Sequence, residues 1–228
     1  MPDNPLTPAL FEFLEDLRDH NERDWFNEHK SVYEQVVRDP VVAWIEQWTR
    51  PLARSAPMLS VVAKRSRGSL MRIHRDTRFS RDKTPYKTNV GISLRHQADG
   101  DIHAPGVYVH LAPDECFLGA GCWRPPREAL AAIRASIDAN PKEYQRVHRR
   151  KAFAADFKLA GERLKTSPRD YAKDHPMIDE LRRIDFIAVS PLTRQDVLAN
   201  DATSEIVRRI RLAKPWMQFL CGAMDIPY

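Results

Sequence analysis

The side chains best suited to chemistry lie in one short run, RIHRDTRFSRDKTPYKTN, at residues 72–89. Arginine offers a planar fork that matches a carboxylate or phosphate, and lysine offers a compact, mobile charge. Aspartates among so many cations should stay ionised, so they can orient the arginines or act as general bases, while a tyrosine can act as an acid. The candidate ligand contacts are Arg72, Arg75, Arg78, Lys83 and Lys87, and the candidate catalytic groups are Asp76, Asp82 and Tyr86.

The positive charge of the chain is concentrated around this run. The segment 64–87 holds nine Lys or Arg against two Asp and carries +7, whereas the whole chain of 228 residues carries +5. One concentrated patch favours a small anionic partner, most plausibly a phosphate-bearing ligand, over a uniform nucleic-acid coat. Two alternatives stay open. One is a nucleic-acid-binding module that also uses the basic runs 146–151 and 208–214. The other is a salt-bridge network that holds a long loop or contacts a partner chain.

An acylating serine is excluded by its surroundings. Ser80 and Lys83 fit the S-x-x-K pattern of penicillin-recognising enzymes, in which the serine begins a buried helix. Pro85 disrupts such a helix, and K-T-N follows at once at 87–89 instead of a distant K-T-G strand. We therefore assign no nucleophile to this run.

Metal and cofactor sites are not indicated by the spacing of histidines and cysteines. Cys116 and Cys122 share one face of a suspected strand, where His110 could join them, but small buried hydrophobes are the favoured role for these cysteines. An odd number of cysteines argues against a disulfide framework. We predict no metal and no cofactor. The histidines of this region are scattered over separate strands and turns: His74, His96, His103 and His110.

A longer pattern within the run resembles the signature of a known family. The residues Arg75-Asp76-x-Arg78-Phe79-Ser80-x-Asp82-Lys83-x-Pro85-Tyr86-Lys87 are similar to the signature catalogued as domain of unknown function 2461. The resemblance extends to Asn21, Trp25-Phe26 and Tyr33, to GVYVHLAPDECFLGAGCWRPP, and to DHP at 174–176, so it covers nearly the whole chain. His74 departs from the Tyr or Phe of many relatives, so no chemistry is assigned to it. The resemblance implies a fold unit and an important loop, and implies no reaction.

The elements before this run are predicted to be helices. Thr7-Pro8 signals a helix start before apolar residues at helical spacing, Asn21 can cap a second helix, and Asp39-Pro40 opens a third that Pro51 should kink or end. Trp25 and Phe26 are expected to be core residues rather than a stacking platform for a ligand.

The elements after residue 60 alternate as strands do. SLMRIHRD should place Met71 and Ile73 on one face, with Arg72, His74 and Asp76 on the other. NVGISLRH, GVYVHLAP and CFLGAGCW follow as strands, and the short turns ADGD and APDE favour antiparallel pairing of these last strands.

The rest of the chain is predicted to be mainly helical. Helices should follow Pro125-Pro126 and cover 142–155 and 177–183, DFIAVSPL should form a late strand, and Pro215 should interrupt the last helix.

The order of elements predicts one α+β domain over residues 1–228. A central, mainly antiparallel sheet would be flanked by N-terminal and C-terminal helices. Residues 1–56 would be helical, 60–124 mainly β, and 125–228 mainly helical with one late strand. No run is long enough to span a membrane and the N-terminus lacks a signal-peptide pattern, so we expect a cytoplasmic location and no membrane partner. The sequence makes no prediction of oligomeric state.

Overall fold

The N-terminal part of the chain is helical in the computed structural model, which describes residues 3–98 and 104–228. The helices are α1 (Ala9–Asp19), α2 (Arg23–Glu28), α3 (Lys30–Tyr33) and α4 (Asp39–Ser55), with a π-helical turn at Glu34–Arg38 before α4. The buried positions of α1 and α4 recur at helical spacing, so each helix turns one apolar stripe to the core.

Three predicted helix signals act differently from expectation. Thr7 gives α1 no side-chain cap, because the N-cap position is Pro8. Asn21 does not cap α2, whose N-cap is Glu22. Pro51 lies inside α4, which continues to Ser55 because Trp48 and Leu52 are fully buried on either side of the proline.

The strands form one antiparallel sheet within the described residues. They are β1 (Leu59–Ser60), β2 (Val90–His96), β3 (Gly106–Leu111), β4 (Cys116–Cys122), β5 (Lys158–Ala160) and β6 (Phe186–Leu192). Their order across the sheet is β1-β2-β3-β4-β6-β5, and each neighbouring pair is antiparallel. The predicted strands at 89–96, 106–113, 116–123 and 185–192 are confirmed, whereas β1 and β5 were not foreseen.

The segment SLMRIHRD is not a strand, which corrects the prediction. It runs alongside β2 with only isolated bridges, Leu70 to Ile92 and His74 to Tyr86. The amide of Met71 donates to the carbonyl of Gly91 at 2.9 Å, and the amide of Lys87 donates to the carbonyl of Ile73 at 2.8 Å. Between these two hydrogen bonds the second segment is two residues longer than the first, so the ladder is interrupted before β2. Ile73 is buried as expected, but Met71 faces the other side of the sheet and is 40% exposed.

The C-terminal part covers one face of the sheet with helices. The helices are α5 (Arg127–Ala139), α6 (Pro141–Arg149), α7 (Lys151–Asp156), α8 (Ile178–Leu181), α9 (Arg194–Leu198) and α10 (Ala202–Ala223). The helix predicted over 142–155 is divided at Arg150, which has an extended backbone. Pro215 does not interrupt α10, because the helix packs through Trp216 on β4, with its indole N–H donating to Ala120 at 3.1 Å.

The sheet therefore has one covered face and one uncovered face. Val90, Ile92 and Leu94 of β2 are buried toward the helices, as predicted, and the alternate residues of β3, β4 and β6 are buried with them. The elements together form the predicted single α+β domain. Across residues 3–98 and 104–228, none of the helices combines the length and apolar character that crossing a bilayer would require.

Two predictions from the sequence concern the turn before β3 and the cysteines and histidines near β3 and β4. The turn ADGD and His103 lie at least partly outside the described residues. Cys116 and Cys122 are free and buried on the covered face, whereas His110 lies on the uncovered face of β3, so the three cannot share a site. Among the described residues, no group of three His, Cys, Asp or Glu is placed to hold a metal ion.

Candidate functional site

The uncovered face of the sheet holds a cleft of about 600 Å³. Its floor is the backbone of β3 and β4, where Gly106, Gly119 and Gly121 stand at positions that face the cleft. Rings of Tyr108, Phe117 and Trp123 and the side chains of Ile187 and Val189 surround this floor. The volume is in the range of small-molecule sites, and the lining is mainly apolar, as such sites usually are.

A second concavity of about 520 Å³ continues from one end of the cleft. It is lined by the guanidinium-bearing residues Arg67, Arg72 and Arg95 and by Ser60, Ser69 and Ser93. The two concavities share the walls formed by Met71, Ser93 and Arg95, so they are adjoining parts of one surface depression. We call this second part the arginine end of the cleft.

A cluster of polar side chains interrupts the apolar lining beside Phe117. The hydroxyl of Tyr108 lies 3.2 Å from Nδ1 of His110, and the amide nitrogen of Asn89 lies 3.5 Å from that hydroxyl and 3.4 Å from Nδ1. Burial raises the pKa of the Tyr108 hydroxyl and lowers the pKa of His110. The cluster is therefore a set of neutral hydrogen-bonding groups near pH 7.

Gly91 leaves the space that this cluster occupies. It pairs with His110 across β2 and β3, and a methyl group at Gly91 would lie 2.8 Å from the Tyr108 hydroxyl and 3.2 Å from the sulfur of Met71. A residue larger than glycine would displace one of the two.

The charged run itself forms a basic hairpin at residues 73–87. Its arms are joined where the amide of Arg75 donates to Pro85 at 2.9 Å and that of Lys87 donates to Ile73 at 2.8 Å. Its tip carries Phe79, whose side chain is 96% exposed, with the guanidinium of Arg78 5.9 Å from the ring centre.

Most cations of the basic hairpin have partners within it. Arg75 donates to Asp82 and Thr84, and Arg78 donates to both carboxylate oxygens of Asp76 at 2.9 and 2.7 Å. These hydrogen bonds hold the pKa of Asp76 and the pKa of Asp82 at about 2, well below the usual carboxyl value. Both carboxylates are therefore ionised and engaged near neutral pH.

Lys83 and Lys87 bind backbone carbonyls rather than carboxylates. The ammonium group of Lys83 donates to Thr77 at 2.9 Å, and that of Lys87 donates to Arg72 at 3.1 Å. Burial, together with the charge of Arg72, lowers the pKa of Lys87.

Tyr86 lies in the helical layer rather than on the surface. Its buried ring stacks on Phe26 with the ring centres 4.1 Å apart and is 5.2 Å from the ring of His74. The side-chain amide of Asn21 makes two hydrogen bonds with the backbone of Tyr86. It donates to the carbonyl at 3.0 Å and accepts from the amide at 3.0 Å. Asn21 thus fixes the hairpin to the start of α2.

Replacing Asn21 by alanine is expected to release this arm of the hairpin. Two partly buried backbone hydrogen bonds would be lost, which should lower the free energy of unfolding by about 1–3 kcal/mol. Hydrogen exchange at the Tyr86 amide should accelerate, and urea denaturation gives the stability change. The control is Asn140→Ala, because the side chain of Asn140 caps neither α5 nor α6. Unchanged exchange at Tyr86 would mean that the hairpin is fixed elsewhere.

The structure divides the eight predicted site residues. Arg72 alone of them lines the arginine end, and its guanidinium makes no hydrogen bond or ion pair with the described residues. Tyr86 is buried against the N-terminal helices. The proton-transfer roles of Asp76, Asp82 and Tyr86 stay predictions. The other six belong to the basic hairpin. Lys87 joins it to the backbone of Arg72, and five residues have partners within the hairpin: Arg75, Asp76, Arg78, Asp82 and Lys83.

Sequence reasoning missed the residues of the cleft. The alternation of GVYVHL did contain a signal, since Val107, Val109 and Leu111 face the core and Tyr108 and His110 must then share the other face. No comparable signal marks Arg67 and Arg95 as neighbours of Arg72, because they meet only when the chain around β1 and β2 folds together.

The basic helical runs are engaged in internal contacts. Arg208 binds Glu205 and Asp156, and Arg209 is buried and donates to Ser190 at 2.6 Å. In the run 146–151, Arg146 lies 3.8 Å from Glu143. The surface predicted for nucleic acid thus has fewer available cations than the sequence suggested.

Comparison with models of protein families gives a match over most of the chain. The model of the family described as "Conserved hypothetical protein (DUF2461)" matches residues 9–219. No curated protein matches the chain. The matched range begins at the first residue of α1 and ends within α10, so it contains the whole cleft and the basic hairpin.

Proposed function

The chain belongs to the DUF2461 family, and we propose that it binds a small anionic, phosphate-bearing ligand in the cleft on the uncovered face of its sheet. The anionic group lies at the arginine end, and the body of the ligand extends over the floor of β3 and β4. The proposal is one of binding, and it assigns no reaction.

The observation that carries this proposal is the position of Arg72. Its guanidinium is exposed in a concavity that also has Arg67 and Ser93 in its lining. Guanidinium and hydroxyl groups are the donors that phosphate oxygens accept from most strongly. The apolar cleft next to these donors would accommodate the uncharged part of the same ligand.

The basic hairpin supports binding of an anion through its positive electrostatic potential. Its arginines are held by carboxylates, yet the segment 64–87 still carries +7 beside the cleft. Charge gathered on one side of a concave surface raises the local concentration of anions and speeds their association. In this proposal Arg72 contacts the anion, and Arg75, Arg78, Lys83 and Lys87 supply the surrounding potential.

The test is a calorimetric titration of the protein with inorganic pyrophosphate at low salt. Arg72→Ala should weaken binding about tenfold, because a charge-assisted contact is lost, and adding Arg67→Ala should weaken it further. The control is Arg211→Ala, an exposed arginine on α10, which lies against the covered face. Equal affinity in the Arg72 variant and the control would refute the proposal.

A nucleic-acid module remains the second candidate because of Phe79. An exposed ring beside the guanidinium of Arg78 is a suitable stacking platform for bases. Titration with single-stranded oligothymidine separates the two functions. Tight binding that falls steeply with salt and depends on Phe79, with no response to pyrophosphate, would replace the small-ligand proposal.

A further inference from the structure

The floor of the cleft carries few side chains. Gly119 occupies a cleft-facing position of β4, and Gly121, which pairs with Gly106 of β3, adds no side chain to the floor. A methyl group at Gly119 would have no atom nearer than 3.9 Å, so the fold does not require glycine at that position. The missing side chain leaves open space above the strand rather than relieving a clash.

Aromatic rings border this flat floor. Tyr108 and Phe117 lie beside it with their ring centres 6.0 Å apart, and His110 stacks on Phe117 at 4.8 Å. Trp123 stands at the end of β4 with its side chain 67% exposed, and the guanidinium of Arg124 lies 5.3 Å from its ring centre. A large, exposed ring at the mouth of an apolar cleft favours an aromatic occupant, because offset stacking stabilises such contacts beyond simple burial.

The polar cluster reaches the cleft through Tyr108, which lines it. The hydroxyl of Tyr108 can donate or accept, and it lies within 3.5 Å of the Asn89 amide nitrogen and 3.2 Å from Nδ1 of His110. A ligand ring that carries a ring nitrogen or a carbonyl would share this hydroxyl with the cluster.

We propose that the ligand is a phosphorylated planar aromatic compound, whose ring lies on the glycine floor of β4 and whose phosphate lies at the arginine end. This inference rests on the proposed function and names the ligand class of the same cleft. The shared wall of Met71, Ser93 and Arg95 allows one molecule to reach both parts. Charge at one end and rings at the other favour this occupant over a second copy of the chain.

The first experiment compares phosphates with and without a ring. AMP, FMN and 4-nitrophenyl phosphate are titrated beside glycerol 3-phosphate and pyrophosphate, by calorimetry. At least one aromatic phosphate should bind about tenfold more tightly than glycerol 3-phosphate, since stacking and ring burial add to the phosphate contact. Equal affinity for all phosphates would overturn the aromatic class while leaving anion binding intact. No binding of any probe, pyrophosphate included, would overturn both proposals.

Trp123 provides an optical report on the same binding. Trp44, Trp48 and Trp216 are fully buried, and Trp25 stacks on His29 away from the cleft. Of these five tryptophans Trp123 lines the cleft, so a ligand there should change mainly its fluorescence. The change should disappear in Trp123→Phe. A fluorescence change that depends on protein concentration without ligand would show that a second copy covers the cleft, and would overturn the proposal.

The decisive variant is Gly119→Val. The side chain would occupy the space above the floor, valine suits a strand, and its Cβ would have no atom nearer than 3.9 Å. Affinity for the aromatic phosphate should fall about tenfold or more, and affinity for pyrophosphate should stay within about twofold. The matched control is Gly222→Val on α10, where a side chain meets nothing within 4 Å. Full affinity for the aromatic phosphate in a folded Gly119→Val protein would overturn the proposal.

Discussion

Gly121→Ala is expected to destabilise the protein by about 4 kcal/mol or more, a large fraction of the stability of a typical domain. Gly121 has φ = +130°, a backbone conformation that residues with a side chain rarely adopt. A methyl group there would lie 2.0 Å from the carbonyl oxygen of Phe186 and 3.0 Å from Nε1 of Trp216. It would force β6 away from β4 and also press on the contact that attaches α10 to the sheet.

The comparison with Gly119→Ala makes this prediction specific. Both glycines are in β4 and two residues apart, but the nearest atom to a methyl group at Gly119 is 3.9 Å away. Gly119→Ala should change the free energy of unfolding by about 0.5 kcal/mol or less, in either direction. Urea denaturation of the two variants tests the difference. Similar stabilities would show that the β4 and β6 strands can separate to accept a side chain.

Asp185→Ala is expected to cost about 3 kcal/mol or more. The buried carboxylate of Asp185 accepts the amide of Arg124 at 2.7 Å and the amide of Glu162 at 2.8 Å. Hydrogen bonds to a charged group are stronger than neutral ones, and their removal would leave both amides without a partner. Gly161 packs so closely that a methyl group there would lie 2.4 Å from Cβ of Asp185, so the carboxylate is tightly enclosed.

Asp185 also positions the mouth of the cleft. Arg124 has φ = +47°, and its fixed amide sets the corner that follows Trp123. Asp185→Ala should therefore lower the thermal midpoint and also make the emission of Trp123 more like that of a freely exposed tryptophan. The exposed Asp174→Ala is the control for removal of one negative charge. A normal melting temperature together with unchanged Trp123 emission would contradict the role assigned to this carboxylate.

The strands of the sheet could be predicted where the alternation of their own residues shows which face is buried. Val90, Ile92 and Leu94 alternate with smaller or polar residues, and this period of two needs only that one face be covered. The late strand at Phe186 followed from the same pattern. Such signals are local, so a single sequence contains them.

Elements that depend on distant partners were predicted less well. Alternation predicts Met71 and Ile73 on one face of a strand, whereas two extra residues in the paired chain interrupt the ladder between them. Asn21 looked like a helix cap, since nothing local shows that Tyr86 would lie beside it. Pro51 and Pro215 remain within helices because packing of neighbouring aromatic residues outweighs the lost hydrogen bond.

For the candidate site, too, features with a local signal could be predicted and features that depend on distant contacts could not. Charge concentration is visible in the sequence, and it singles out the region that contains Arg72. Pairing of Arg75 with Asp82 and of Arg78 with Asp76 depends on how the hairpin turns, which composition does not specify. The cleft lies between strands and exists only after they assemble, so Gly119 and Trp123 read as ordinary strand residues until the floor is seen.

The sheet order has a consequence for synthesis on the ribosome. β2, β3 and β4 are consecutive in the chain and pair as they emerge, but β4 receives its other neighbour, β6, only after α5 to α8 have been made. Until then β4 is an uncharged, glycine-rich strand with one row of unpaired amides and carbonyls, the kind of edge to which other chains or chaperones attach. β4, which forms part of the floor of the finished cleft, is therefore the exposed edge of the growing chain.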